Sequence, residues 1–159
     1  MVATESERSA ALVRDAIYRA SLELDAKDFA SWLERCAPEF SYEIRAYSPE
    51  IRRDVTFLRH DLAGIRNMVE LLPKHQSDAA PLTRHVSVYA VTPRADGDFD
   101  AFSSVIVLRT LLDGGTTSIF AAGKYEDVVR VDADGAVSFV SRLVRLDTRE
   151  LGMGTHLPL

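Results

Sequence analysis

The chain has 159 residues, close to the usual size of one domain, and 47% of them are apolar, as in ordinary packed proteins. Its 19 basic and 24 acidic residues give a net charge of −5, without the basic excess that nucleic-acid-binding proteins usually carry. A single cysteine, Cys36, excludes a disulfide within the chain and a zinc or iron–sulfur site built from its cysteines alone.

The first ten residues carry Glu5, Glu7 and Arg8 and contain no apolar core segment. They therefore lack the pattern of a secretory signal, and no uncharged stretch of the chain approaches the roughly 18 residues needed to span a bilayer. We expect a cytoplasmic protein in which residues 1–159 form a single domain, without nucleic-acid or membrane partners.

Two helices are predicted in the first quarter of the chain. Thr4 followed by Glu7 has the pattern of a capping box. The apolar residues that then recur at helical spacing are Leu12, Val13, Ala16, Ile17, Ala20 and Leu24. After a turn at Asp25–Lys27, Asp28 is placed to cap a short helix that ends before Pro38. Its apolar side carries Phe29, Trp32, Leu33 and Cys36.

A strand and a third helix follow. Phe40–Ala46 alternates apolar and polar residues, which predicts a strand, whereas Tyr47–Arg59 is charged, contains a proline and is assigned no element. Asp61 is a candidate cap for a helix that extends to about Lys74. The apolar stripe of this helix is Leu62, Ile65, Met68, Val69 and Leu72, and Gln76–Pro81 is predicted to be a loop.

The second half of the chain has the pattern of an antiparallel meander. The predicted strands are Thr83–Thr92, Phe99–Leu112, Thr116–Val131 and Ala136–Asp147, separated by turns at Arg94–Asp98, Asp113–Gly115 and Asp134-Gly135. In the first strand, Val86, Val88 and Ala90 are expected to face the core. The last strand changes its apolar phase near Val140, which predicts a β-bulge. Helices followed by consecutive strands favour an α+β fold, with a curved antiparallel sheet wrapped around the N-terminal helices.

The four histidines do not form a recognisable metal site. His60, His75, His85 and His156 lack the i, i+4 spacing that marks helical zinc sites. Asp61 could raise the basicity of His60, but helix capping explains this carboxylate more simply. His75 could bond to the last carbonyls of its helix, and His85 is expected to face solvent or an interface.

No nucleophile or phosphate-binding motif is present either. Cys36 is expected to be a buried structural thiol, and Gly114-Gly115 a hairpin rather than a phosphate loop. Acidic Glu50, Asp54 and Asp61 are interleaved with basic Arg52, Arg53, Arg59 and Arg66, which predicts a salt-bridge network. The sequence therefore predicts no catalytic, cofactor-binding or metal-binding residues.

Five stretches of the chain form a collinear set. They are Trp32-Leu33 leading to Tyr42, then Asp54–Leu62, then Leu82–Val86, and finally the pair Gly123–Arg130 and Arg142–Asp147. The stretch Gly123–Arg130 resembles the G-x-x-x-D-x-[LF]-R motif of the small (β) subunits of Rieske-type ring-hydroxylating oxygenases, and the whole set is similar to that family. Two features depart from its pattern: a valine follows Asp127 where tryptophan is frequent, and residues 155–159 lack the closing asparagine and aromatic.

This resemblance implies a cystatin-like cone of the nuclear transport factor 2 superfamily. It also implies a non-catalytic structural subunit of an oxygenase, itself without an active site. The partner would be a large (α) subunit carrying a Rieske [2Fe–2S] cluster and a mononuclear iron, commonly in an α3β3 hexamer, with no cofactor in this chain. The departures fit a divergent branch, such as small subunits that act with alkanesulfonates.

Two other classes of function stay open. A stand-alone cavity enzyme of the same fold, an isomerase, dehydratase or cyclase with Asp/His acid–base chemistry, would draw on Tyr18, Tyr42, His60, Asp61 and His85. The third class is a homodimeric binding module.

Two expectations concern assembly. The long strands rich in valine and isoleucine predict self-association, as a trimer. Residues 152–159 offer only Met153, Leu157 and Leu159 as large apolar groups. We therefore expect this segment to pack on a neighbouring subunit rather than on its own monomer.

Overall fold

A computed structural model of the chain describes residues 2–75, 79–149 and 157–159. Its helices are α1 (Glu5–Asp25), α2 (Phe29–Glu34) and α3 (Leu62–His75), and its strands are β1 (Cys36–Ser48), β2 (Arg53–Asp61), β3 (Leu82–Pro93), β4 (Phe99–Thr110), β5 (Thr117–Val131) and β6 (Val137–Leu146). The strands form one sheet in the order β2–β1–β6–β5–β4–β3. The predicted α+β class is confirmed.

The helix starts are set by local side-chain caps, as predicted. The Thr4 hydroxyl accepts the Glu7 N–H, and the Glu7 carboxylate accepts the Thr4 N–H, which completes the capping box of α1. Asp28 accepts the Ser31 N–H at the start of α2, and Asp61 accepts the Gly64 N–H at the start of α3. The buried face of α1 follows the predicted stripe except at Leu12, which is 39% exposed.

The sheet differs from the prediction in three ways. The segment Tyr47–Arg59, which is assigned no element, contains the end of β1 and most of β2. Strand β2 is a mostly exposed edge strand with only a weak alternation, and it is fixed by antiparallel pairing with β1. Strand β1 pairs in parallel with β6, so the sheet is mixed rather than wholly antiparallel. Cys36 starts β1 instead of extending α2, because α2 ends at Glu34.

Two irregularities set which side chains point inward. Val128 pairs with Ser141 and Val129 with Phe139, so Val140 is the extra residue of a bulge in β6, as predicted. In β3 a register shift between Val88 and Ala90 leaves Ala90 exposed and turns Val91 partly inward, which the simple alternation did not predict.

The core lies between α1, α2 and α3 and one side of the sheet. We call this side the inner face and the opposite side the outer face. Trp32 meets the rings of Phe40 and Tyr42 edge-on, at centroid distances of 6.1 and 6.3 Å. Helix α1 packs on β3 to β6 and α3 on β1 and β2, so the helices cover the whole width of the inner face.

Some expectations fall outside the described residues. These are the conformation of residues 76–78, the side chain of His75, His156 and most of the segment 152–159, of which residues 157–159 are described.

Candidate functional site

Two neighbouring rows of cross-strand pairs span all six strands and present opposite faces of the sheet. The inner row is His60, Tyr42, Arg142, Asp127, Ala101 and Val91. The outer row, one residue away on every strand, is Arg59, Glu43, Leu143, Glu126, Phe102 and Ala90. Because side chains alternate along a strand, the two rows show which side chains lie on each face of the sheet.

The inner row contains a buried ion pair. Arg142 Nε and Nη2 donate to the two carboxylate oxygens of Asp127 at 2.8 and 2.9 Å, and the two side chains are 1% and 0% exposed. The Arg142 guanidinium carbon also lies 4.0 Å from the ring centroid of Tyr125. Burial opposes the charge of Arg142, but Asp127 raises its pKa above the ordinary value. The Arg142 guanidinium therefore stays charged, and its pairing with Asp127 has a structural role.

Residues 157–159 lie inside the protein. Leu157 and Leu159 are 8% and 2% exposed. The Leu159 N–H donates to the Tyr42 hydroxyl at 2.8 Å, and Arg84 Nη2 donates to the Pro158 carbonyl at 2.6 Å. The expectation that this segment packs on a neighbouring subunit is therefore wrong for residues 157–159, because two hydrogen bonds and two buried leucines hold them on their own monomer.

The residues considered for a cavity enzyme form two separate groups. Tyr42 and His60 are cross-strand neighbours near the β2 edge, and Asp61 next to them is used as a helix cap. Tyr18 and His85 line a groove of about 390 Å³ beside β3, the opposite edge strand, where the Tyr18 hydroxyl accepts the Val88 N–H.

Nor is Tyr42 prepared for proton transfer. It is fully buried, burial raises its pKa above the ordinary value, and its hydroxyl already accepts the Leu159 N–H. The geometry does not assemble an acid–base set from these five residues.

Cys36 is a structural thiol, as predicted. Its Sγ lies 3.6 Å from the Trp32 carbonyl, and burial raises its pKa to about 12, so it is protonated at neutral pH. In the described ranges, no three or more His, Cys, Asp or Glu residues are grouped so that they could hold a metal ion.

The outer row is charged and partly open. The Glu43 carboxylate accepts from Arg45, Thr56 and Arg59 at 2.5, 2.9 and 3.1 Å. The hydrogen bond from Arg45 is the main reason that the pKa of Glu43 falls to about 2. With these three donors around it, Glu43 is only 7% exposed. Three members of the predicted salt-bridge network have partners outside that set: Arg59 pairs with Glu43, Asp54 with Arg145 at 2.7 Å, and Glu50 with Arg149.

Apolar groups lie beside these charges on the outer face. The rings of Tyr89 and Phe102 are 6.1 Å apart and are 61% and 40% exposed. A groove of about 400 Å³ beside Phe102 is also lined by Glu126 and Leu143. Exposed aromatic residues set among charges are typical of surfaces that another chain covers.

The sequence signals the inner ion pair only indirectly. Asp127 and Arg142 both lie in the motifs that carried the family resemblance, but nothing in the sequence pairs them across the Val140 bulge. A usable signal is the position of Arg142, which falls in the buried phase shared by Val144 and Leu146. A charge in a buried phase indicates a buried partner.

Residues 19–153 match the family model described as the ring hydroxylating beta subunit. Two curated relatives are also similar. The methanesulfonate monooxygenase hydroxylase subunit beta of Methylosulfonomonas methylovora is 39% identical over 98% of this chain and 90% of its own length. The 2-aminobenzenesulfonate 2,3-dioxygenase subunit beta of an Alcaligenes species is 32% identical over 86% of this chain and 89% of its own length.

A solved structure has the same fold. It is the beta subunit assigned to an aromatic-ring-hydroxylating dioxygenase of Novosphingobium aromaticivorans, which superposes with a TM-score of 0.84 at 20% identity. The match covers 98% of this chain and 100% of that one. This likeness supports the predicted cone-shaped fold.

Proposed function

This chain belongs to the ring hydroxylating beta subunit family, and we propose that it works as the non-catalytic small subunit of a multi-subunit oxygenase. The structural observation that supports this role is the contrast between its faces. The inner face is filled by the protein's own side chains and by residues 157–159, whereas the outer face leaves Tyr89 and Phe102 exposed. Such a domain is suited to holding another chain in place.

The partner in this proposal is a large oxygenase subunit. The Rieske cluster and the mononuclear iron would belong to that subunit, and this chain would contribute none of their ligands. We propose a trimer of this chain within an α3β3 hexamer, located in the cytoplasm. None of the helices in the described part of the chain has the length and apolar character of a membrane span.

We further propose that the complex oxidises a small organic sulfonate. The support is that both curated relatives are beta subunits of enzymes named for sulfonates, one aliphatic and one aromatic. The departures of the sequence from the family pattern also suggested alkanesulfonates, which are organic sulfonates. The higher identity of the methanesulfonate relative favours an aliphatic sulfonate.

Co-expression with a large subunit of the same kind of oxygenase tests the assembly. We expect one complex by size exclusion with light scattering, a mass that fits three copies of each chain, and iron only when the large subunit is present. A monomer at micromolar concentration with and without the partner would contradict the proposal, as would stoichiometric iron in the isolated chain.

Oxygen uptake by the purified complex, supplied with its electron donors, tests the substrate class. We expect uptake with methanesulfonate that exceeds uptake with benzoate. The reverse preference would contradict the sulfonate proposal and leave the subunit assignment intact.

A further inference from the structure

Residues 157–159, which we call the strap, bridge two distant strands of the inner face. Arg84 belongs to β3, at one edge of the sheet, and Tyr42 belongs to β1, with three strands between them in the sheet order. The strap contacts both, through the Pro158 carbonyl and the Leu159 N–H. The strap therefore spans the inner face from β3 to β1.

Both anchors of the strap recognise backbone atoms and are themselves held in place. Arg84 is fixed by Asp25 of α1, whose carboxylate accepts from the Arg84 side chain at 2.7 Å and from the Arg84 N–H at 3.1 Å. Tyr42 is fixed by the edge-on ring of Trp32. Anchors that are ordered before a segment arrives lose little entropy when they bind it.

The rest of the contact is apolar. Leu157 and Leu159 bury their side chains in the same core cluster as Trp32 and Tyr42. Two buried leucines and two backbone hydrogen bonds are the means by which grooves bind short apolar peptides.

We propose that the inner face between Arg84 and Tyr42 is a binding site for a short apolar peptide of the type Leu-Pro-Leu, and that the strap is its intramolecular ligand. The site recognises one backbone carbonyl and one backbone N–H, with a pocket for each leucine. Linkage to the same chain keeps it occupied, since a tethered segment has a high effective concentration. Once the tether is cut, the site takes the same peptide from solution. This inference does not depend on the proposed subunit role.

The first test uses the full chain and two matched variants. Tyr42→Phe removes the hydroxyl that holds the strap, whereas Ser103→Ala removes an equally buried hydroxyl that has no hydrogen-bond partner among the described residues. We expect hydrogen exchange of the Leu159 amide, followed by NMR, to become roughly fivefold faster or more in Tyr42→Phe and to stay unchanged in Ser103→Ala. Equal exchange in the two variants would overturn the proposal.

The second test opens the site after folding. A protease recognition sequence replaces residues 150–155, and the folded chain is cut there. Trp32 is the only tryptophan, so its fluorescence reports on Tyr42 and the strap. We expect the emission to change when the cut protein is diluted and to return, in a saturable way, with the synthetic peptide His-Leu-Pro-Leu.

The same experiment shows how the proposal fails. If the cut chain unfolds when its peptide leaves, the strap is part of the core rather than a ligand. If neither dilution nor millimolar peptide changes the emission, the site does not exchange its occupant. Either outcome overturns the proposal.

Discussion

The inner and outer rows use the same ionic chemistry in opposite settings. In the inner row one arginine meets one carboxylate, both fully buried, with an aromatic ring against the guanidinium. In the outer row Glu43 is shared among Arg45, Thr56 and Arg59, and the Arg59 side chain is 68% exposed. The comparison indicates that the Arg142–Asp127 pair is fixed by the fold, whereas the network around Glu43 can rearrange when a second chain binds.

Removing one partner of the inner pair is expected to have the largest effect. Asp127→Ala leaves the Arg142 charge buried without compensation, and we expect it to lower the free energy of unfolding by about 3–5 kcal/mol. The control is Asp147→Ala, which removes the exposed partner of Lys124 and should cost at most about 1 kcal/mol. Urea denaturation measures both, and equal losses would contradict the contrast between the rows.

A second test concerns close packing on the inner face. Gly123 lies against the backbone of β6, where an added Cβ would collide with the Arg145 carbonyl. We expect Gly123→Ala to destabilise the protein by about 1–3 kcal/mol. Gly114 in the β4–β5 turn has open space around it, so Gly114→Ala should stay within about 0.5 kcal/mol of the parent. If thermal unfolding shows the two variants to be alike, β5 and β6 are not held this closely.

The outer network should appear in the pH dependence of stability. The pKa of Glu43 is lowered from 4.5 to about 2, so its contribution is complete above about pH 4.5 and is lost as the pH falls through 2. Because the arginines that pair with Glu43 are partly exposed, we expect Glu43→Gln to lower the free energy of unfolding by on the order of 1–2 kcal/mol at neutral pH. We also expect the stability to depend less on pH between about pH 2 and 4.5. Urea titrations from pH 2 to 7 measure this, with the exposed Glu70→Gln as control. An unchanged acid limb would rule out Glu43 as its source.

The smallest effect on folding, and the most specific one on assembly, is expected at Tyr89. Tyr89→Ser should change the stability of the isolated chain by less than about 1 kcal/mol, because the side chain is 61% exposed. If the large subunit covers the outer face, binding should weaken about tenfold or more, as for a buried interface aromatic. Leu112→Ser, 72% exposed in the β4–β5 turn, is the control. Equal binding of both variants would place the contact elsewhere.

Features decided within a few residues could be predicted from the sequence. The caps at Thr4, Asp28 and Asp61 and the turn at Asp134-Gly135 depend on neighbours three or four positions away, and all four are present. Strand β2 was missed because an edge strand exposed along most of its length has no clear alternation. Its conformation depends on pairing with β1, which single-sequence periodicity does not contain.

The candidate site was harder to predict than the fold. Tyr42, Asp127 and Arg142 all lie in the stretches that resembled the family, yet their contacts join different strands across a bulge. The packing of the strap is not visible in the sequence, because its anchors Arg84 and Tyr42 lie 74 and 117 residues before the residues they hold. Long-range partners of this kind become visible only when the strands are placed side by side.

The parallel pairing of β1 with β6 has a consequence for synthesis on the ribosome. In the growing chain, β1 gains its parallel neighbour β6 only after Arg142, about a hundred residues beyond its partner Tyr42, has been synthesised. Until then β1 and β2 form at most a two-stranded hairpin with an open edge, a state that is marginal in water and prone to intermolecular pairing. Once the chain is complete, the meander β3 to β6 should form quickly because its pairings are local. Docking of the β1–β2 hairpin onto β6 should then be the slow, late step. Nascent chains stalled before β6 are therefore where misfolding and a need for chaperones are expected to concentrate.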